Sequence, residues 1–544
     1  MTGWLSPRVG FALVAALYLL SFPYHPGLRS PNELCRLWQS RSLVDFKAWN
    51  INGVLQQRGM VGDLSCTAVV RENGLETLKP CVGPDAPRLN VVAVWYYPSK
   101  APLVSLLGAP VYAVLKSLSP AGQVSELSQV LWSRLFVTVL PALGLLWLVR
   151  RFLLAHVKPE TADLFTVVYA MGTMAFSYAE AFMSHQLTAV LLFGAFFAAW
   201  KVERGEWKAW GYALAGLAAG AAVVAEYTAA LGVLCVASYT VAARWKKWGA
   251  LAQAVGLVAL GSAPMLGFLL WYHAQIFGSP FVSGYKFLND AAYMGWHQGG
   301  FLGIRLPDPR AFVLSFFSPL RGLFALSPFL AVGLWGVRDV KPKDRAFFAS
   351  LVVLLVTHAY FTASFTYDSW GWTVGPRHLT GMLPFLMLPA ALVFERLSAS
   401  SSLKASAVAG LCAVSVLASG LVGFVNYVPD DVSTSVWALA VPLLADGFWP
   451  VSWLAAWVPN PASGAVLVGL LLAVVAWVVS RTWKAGGRGV VVTLLVVAGH
   501  LALLKGASRF TAPPDPDAHD VAAKKFLQSV WLAPNGKHVE FSGP

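Results

Sequence analysis

Charge is what this sequence has least of. Asp, Glu, Lys and Arg make up 12% of its 544 residues while 57% are hydrophobic, and a soluble globular domain is about 25% charged. A water-facing surface cannot be covered at that ratio. Polar faces are missing from the long apolar runs 250–272, 406–425 and 464–480, which excludes core helices of a soluble protein. A bilayer core of about 30 Å, needing about 17–25 apolar residues per helix, accounts for them. Cysteine is also scarce. The five show no CxxC or Cys/His spacing, which removes a zinc module. Cys235 and Cys412 lie inside apolar runs and read as small packing residues. Cys35, Cys66 and Cys81 lie in the first loop, where Cys66 and Cys81 either remain thiols or pair, if that loop faces an oxidising compartment. Acidic residues number 26 against 40 Lys and Arg, giving a formal charge of +14. No nucleic-acid module accompanies that excess, so it is assigned to topology and anionic lipid heads. A strong internal repeat is absent, which counts against a transporter built on inverted repeats.

The fold class expected is an all-α polytopic membrane protein of about 13 spanning helices. They fall near 8–24, 127–149, 161–179, 186–200, 209–225, 227–243, 250–272, 323–336, 346–363, 378–394, 405–425, 463–480 and 489–506. The first resembles a signal peptide, but no A-x-A site follows, so it reads as an uncleaved helix. With the N-terminus inside, the short inner loops carry Arg150, Arg151 and Lys158; Lys201, Arg204 and Lys208; Arg244, Lys246 and Lys247; Arg338, Lys341, Lys343 and Arg345; Arg396 and Lys404; Arg481, Lys484 and Arg488. The short outer links at 180–186 and 226–227 carry neither Lys nor Arg. Lys and Arg in short loops stay cytoplasmic, which sets the orientation: plasma (inner) membrane, N-terminus cytoplasmic, C-terminus extracytoplasmic. The apolar segments 101–118 and 436–444 are short, the first with Pro102, Gly108 and Pro110, and are expected to lie at the interface or re-enter. A membrane domain over 1–506 then carries three long outer stretches, 25–100 with juxtamembrane helices, 273–317 and 426–461, and an outer tail, 507–544. Long loops of this kind mark the working surface.

Polar residues collect on that side. Arg29-Ser-Pro-Asn-Glu33 opens a helix continuing to Arg36 and Arg41. Glu33 is placed to take a proton from an attacking hydroxyl, and the Arg residues to bind phosphate. A capped amphipathic helix with a salt bridge is the plainer reading of the segment on its own. Trp95-Tyr-Tyr-Pro-Ser-Lys100 offers a Lys that either snorkels or holds phosphate. Arg134 sits inside the outer end of an apolar helix, where charge is costly and usually functional. Glu180 and His185 share a tight link, and Glu226 interrupts an apolar stretch. Acid/base work, a metal or a polar turn are all open there, with Glu33, Glu180 and His185 the metal candidates. Tyr285 follows the turn Phe277-Gly-Ser-Pro280. Arg321 opens an apolar run, and Asp368, Arg377 and His378 lead into another. An interfacial aromatic belt with anchoring charges explains these last three segments equally well. Together, under a topology derived from other residues, they predict a polar cavity at the outer face, open to lipid and suited to a lipid phosphate.

Several of these segments resemble the GT-C glycosyltransferases of the protein O-mannosyltransferase and lipid A aminoarabinose transferase type. The likeness lies in Glu33 just after the first helix, Tyr97-Pro-Ser-Lys-Ala-Pro102, the helix with Arg134, and Gly375-Pro-Arg-His-Leu-Thr-Gly-Met-Leu-Pro384, and covers about residues 8–395. Phe277-Gly-Ser-Pro-Phe281 and Ser318-Pro-Leu-Arg-Gly-Leu-Phe324 are similar to bacterial members. The resemblance implies a polyprenyl-phosphate-linked sugar donor, an envelope acceptor (protein, lipid or glycan), transfer outside the membrane and usually inversion. It implies Glu33 as the base and Lys100, Arg134, and Arg321 or Arg377 as phosphate ligands; Arg36, Glu180, His185, Glu226, Tyr285, Asp368 and His378 are further site candidates from the residues themselves. The chain departs from the family at Asn32, where Asp is common, and at His185, where an acid is common. A flippase for a lipid-linked saccharide and a non-catalytic family member are the alternatives. No nucleic-acid partner is expected.

Overall fold

Apolar length decides the architecture. The computed structural model describes residues 6–25, 28–300, 303–365, 372–429, 432–449, 452–511, 515–531 and 539–540. Among them, eight helices are long and apolar enough to cross a bilayer: Glu126–Leu154, Ser184–Glu203, Trp248–Phe277, Arg345–Ser364, Arg377–Ser400, Ser402–Val425, Ala462–Val479 and Gly486–Ala507. The protein is thus an all-α polytopic membrane protein. The other five expected spans also fall on helices, but shorter or broken ones. Pro7–Leu20, Gly211–Ala225 and Ala229–Ala243 are short and apolar. Pro159–Met171 and Ala175–Ala179 are separated at Gly172, and Leu323–Leu326 and Phe329–Val340 at Ser327-Pro328.

Close helix approach uses small residues, as expected where lipid is as apolar as the side chains. Helices Gly211–Ala225 and Trp248–Phe277 pack backbone to backbone. A Cβ at Gly216 would collide with the Val258 carbonyl, and one at Gly261 with the Ala213 carbonyl. Gly216→Val should therefore force the pair apart and destabilise the protein by about 1–3 kcal/mol, read as a lower melting temperature in detergent. Gly256→Ala, on the partner helix but facing open space, should not lower it.

The first long loop holds the structure that positions the site. Helices Pro31–Asp45 and Asn52–Arg58 are followed by a three-stranded antiparallel sheet, in which strand Leu64–Glu72 lies between Leu75–Pro80 and Val91–Pro98. The sheet is a feature the sequence reading did not include. Its hairpin turns at Asn73-Gly74, both with positive φ, the residue pair that type I′ turns demand. A Cys66–Cys81 disulfide ties the central strand to the end of its neighbour. Helix Leu103–Leu118, the segment expected not to cross, lies against helix Pro31–Asp45: Ser40 Oγ donates to the Ser105 carbonyl at 2.7 Å. It is two residues short of the shortest span above. Beyond the last long helix, Pro516–Trp531 docks on the 433–446 segment. There Lys524 meets Asp446 at 2.5 Å, and Asp520 accepts from the Ser433 backbone N–H at 2.6 Å.

Candidate functional site

Helix Pro31–Asp45 begins with Pro31 in its first turn and Glu33 behind it, favourable for a proline with no N–H to give and a carboxylate at the positive end of the helix dipole. The helix is buried from Asn32 to Ser42. Glu33 faces Arg134 of the neighbouring long helix in a two-point ion pair: Arg134 Nε donates to Glu33 Oε1 and Nη2 to Oε2, both at 2.7 Å. The Phe182 backbone N–H adds a donor to Oε1 at 2.6 Å, and Arg134 Nη1 donates to the Pro23 carbonyl at 2.7 Å. Both side chains are buried. Arg134 is presented just before a widened turn at Leu135–Val139. Pro141 follows with no N–H to continue the ladder, and Thr138 Oγ1 donates to the Arg134 and Ala179 carbonyls. Arg134, expected to hold phosphate, is therefore the partner of the expected base.

One turn along the same helix, Arg36 takes a different direction. Its Nη1 donates to the Asn32 carbonyl at 2.8 Å and to the Asn32 side-chain oxygen, and its Nη2 to Ser184 Oγ at 3.1 Å. Ser184 Oγ donates in turn to Glu226 Oε2 at 2.6 Å. Glu226 links helices Gly211–Ala225 and Ala229–Ala243, its own carbonyl accepting from the Ala229 N–H at 2.9 Å. His185 Nδ1 stands 3.9 Å from Glu226 Oε2, and its ring meets those of Tyr178 and His378 edge-on, centroids 5.0 and 5.4 Å apart. Glu226, His185, Thr188, Thr228, Arg377 and His378 line one small cleft. Gly375, at φ +66°, feeds the chain into helix Arg377–Ser400, and a side chain there would strike Met174.

The loop layer supplies the third part. Lys100 Nζ lies 3.1 Å from Asp63 Oδ1 and 5.5 Å from the centre of the Tyr285 ring. Tyr285 stacks on His297 at 4.2 Å, and the Tyr227 ring, next to Glu226, lies 5.9 Å from it. Burial pulls the Lys100 ammonium down, but Asp63 and Tyr285 outweigh it and hold its pKa above the usual lysine value. Burial pushes the Asp63 carboxyl up, and Lys100, Arg377 and Arg36 together bring it below the usual aspartate value. His297 is lowered to about 4, by burial first and then by Lys100 and against the opposing pull of Asp63. It is neutral at physiological pH. Lys100, Arg36 and Arg377 thus act on the same small volume.

The fold is similar to that of ArnT. A structure of ArnT from Cupriavidus metallidurans in the apo state aligns with 91% of this chain and 77% of its own, at 16% identity and a TM-score of 0.48. The structure of the same protein bound to undecaprenyl phosphate aligns with 92% and 79%, at 16% identity and a TM-score of 0.46. No family model and no curated protein matches the sequence.

The residues singled out in the sequence meet in two adjoining groups. Glu33 and Arg134 line a cleft with Tyr178, Trp372, Thr373 and Tyr427. Arg36, His185, Glu226, Arg377 and His378, with Lys100 and Tyr285 beside them, form the other. Glu180 and His185 turn to different partners. Glu180 is buried beside Ser21 and Phe22, within reach of the Arg134 charge. Arg321 is buried with Nη2 donating to the Val428 carbonyl at 2.9 Å, tying the 318–322 and 426–429 segments together. Asp368 lies outside the described residues. Among the described residues, no three His, Cys, Asp or Glu side chains are grouped as metal ligands, so Glu33, Glu180 and His185 do not form one set. Asp63 and His297 were not anticipated. Asp63 sits at φ +60° in the turn before strand Leu64–Glu72, and a Gly-Asp pair before a strand reads only as a turn.

Proposed function

We propose that the protein is a membrane glycosyltransferase that moves a sugar from a polyprenyl-phosphate donor to an envelope acceptor on the extracytoplasmic face. The observation that carries this reading is the cluster of Lys100, Arg36 and Arg377 around a cleft at one end of an apolar helix bundle. Charge placed there is expensive unless an anion uses it. A lipid phosphate brings the anion at the height of the cluster and the apolar tail at the height of the helices. Arg36 Nε and His185 Nε2 are buried and have no protein hydrogen-bond partner among the described residues, which marks a polar volume that a ligand or water satisfies.

Two further facts support the outer face. The Cys66–Cys81 disulfide belongs to the same loop layer as Lys100, and disulfides persist in oxidising compartments. The basic loops lie at the opposite ends of the helices in the derived threading. In the reaction, Lys100, Arg36 and Arg377 stabilise the charge that develops on the leaving phosphate, while Tyr227 and Tyr285 offer rings to a sugar face.

Purified protein in nanodiscs, given a panel of radiolabelled polyprenyl-phosphate sugars and envelope acceptors, should bind and turn over at least one donor. Failure to bind any donor would sink the reading. Binding with movement across the bilayer but no transfer would favour a flippase.

A further inference from the structure

The transferase reading leaves open which group takes the proton from the acceptor hydroxyl. Asn32 cannot, because an amide is no base. Glu33 has both oxygens engaged by Arg134 and one also by the Phe182 N–H, so three of its roughly four acceptor sites are already taken by charged or backbone donors. It also lines the other cleft, with Arg134, and not the one that Arg377 lines.

Resting on that reading, we infer that Glu226 is the catalytic base, accepting the proton of the acceptor hydroxyl in the cleft it shares with His185, Arg377 and His378. It is the one carboxylate among the described residues lining that cleft. Its Oε2 accepts from Ser184 Oγ, which is held by Arg36 Nη2. Its Oε1 has no hydrogen-bond partner among the described residues. The Asn32–Arg36–Ser184 chain fixes one oxygen and leaves the other to the cleft, so Ser184 is a positioning residue, held by Arg36 Nη2 while Arg36 Nε stays available to the phosphate. Arg377 lines the same cleft, and the Lys100 charge is felt at His185 within it, with the Tyr285 and Tyr227 rings between Lys100 and Glu226. The cleft therefore joins the proton acceptor to the phosphate ligands.

The step balances within these groups. The acceptor oxygen forms a bond to the anomeric carbon as its proton passes to Glu226 Oε1. The bond from the anomeric carbon to the phosphate oxygen breaks, and its electron pair leaves with the polyprenyl phosphate beside Arg36, Arg377 and Lys100. Glu226 returns its proton to water after product leaves.

The test compares wild type, Glu226→Gln, Glu226→Ala and Glu33→Gln, as full chains in nanodiscs with an active donor. Positioned proton transfer contributes about 10²–10⁴-fold, so Glu226→Gln should lose kcat by that factor and keep donor Kd within about threefold. Azide needs no deprotonation, so Glu226→Ala should regain turnover with added azide and release a glycosyl azide. Glu33→Gln should keep kcat within about tenfold while melting lower. A loss of kcat under about tenfold in Glu226→Gln, a loss matched by lost donor binding, or no azide product overturns the assignment. An inert wild type overturns the transferase reading instead.

Discussion

Lys100→Met is expected to reduce kcat/KM for sugar transfer by about 10²–10³-fold, the cost of removing one preorganised donor to a developing oxyanion. The side chain is nearly buried against Asp63, so its charge is fixed in place before any donor arrives. The variant loses that charge and also leaves Asp63 without its nearest cation. With burial then less opposed, the Asp63 carboxyl should rise from its depressed position. A negative charge remaining beside the phosphate at neutral pH deepens the loss. Donor binding should weaken together with kcat, which separates this variant from Glu226→Gln. Lys100→Arg should recover only part of the activity, because a planar guanidinium does not reproduce a compact ammonium at the same point. Single-turnover transfer and equilibrium binding of the polyprenyl phosphate are the two measurements. Unchanged binding in Lys100→Met would place the phosphate elsewhere.

Arg134→Leu should be the most destabilising single change at the site, by about 3–5 kcal/mol, the range for removing one partner of a buried ion pair. The Arg134 side chain makes three hydrogen bonds here, two to Glu33 and one to the Pro23 carbonyl. Removing it strands a carboxylate that is 5% exposed. The double variant Arg134→Leu with Glu33→Leu should regain most of the lost stability, since two apolar side chains no longer ask for partners. Thermal unfolding in one detergent and lipid mixture reads both. A double variant as unstable as the single one would mean that packing, not charge, is what Arg134 supplies.

The transmembrane helices were legible because a bilayer imposes length and apolarity on a continuous run, and Ser402–Val425 or Ala462–Val479 satisfies both without help from tertiary contacts. Breaks were less legible. Gly172 and Ser327-Pro328 interrupt segments whose composition stays apolar on both sides. The Asn73-Gly74 hairpin carries a clear local signal, but the expectation of juxtamembrane helices in that loop leaves no place for a sheet. The charges that the structure brings together were legible as costly ones near helix ends. Their pairing was not: Glu33 and Arg134 are 101 residues apart, and Ser184 and Glu226 are 42 apart. Which carboxylate is neutralised by an arginine and which faces a cleft is decided by helix packing that no single stretch of sequence contains. Asp63 illustrates the limit, since its only local mark is a turn.

The Glu33–Arg134 pair also constrains how the chain is assembled. Glu33 leaves the ribosome about a hundred residues before its partner, and a lone carboxylate is costly in a bilayer, as is a lone guanidinium. Until helix Glu126–Leu154 is inserted, the start of helix Pro31–Asp45 has no low-energy place to settle. The first loop is therefore expected to stay solvated and to close onto the bundle only when Glu126–Leu154, the first of the eight long helices, arrives. The pair acts as a latch in biogenesis: it makes early docking of the loop unfavourable and late docking hard to reverse.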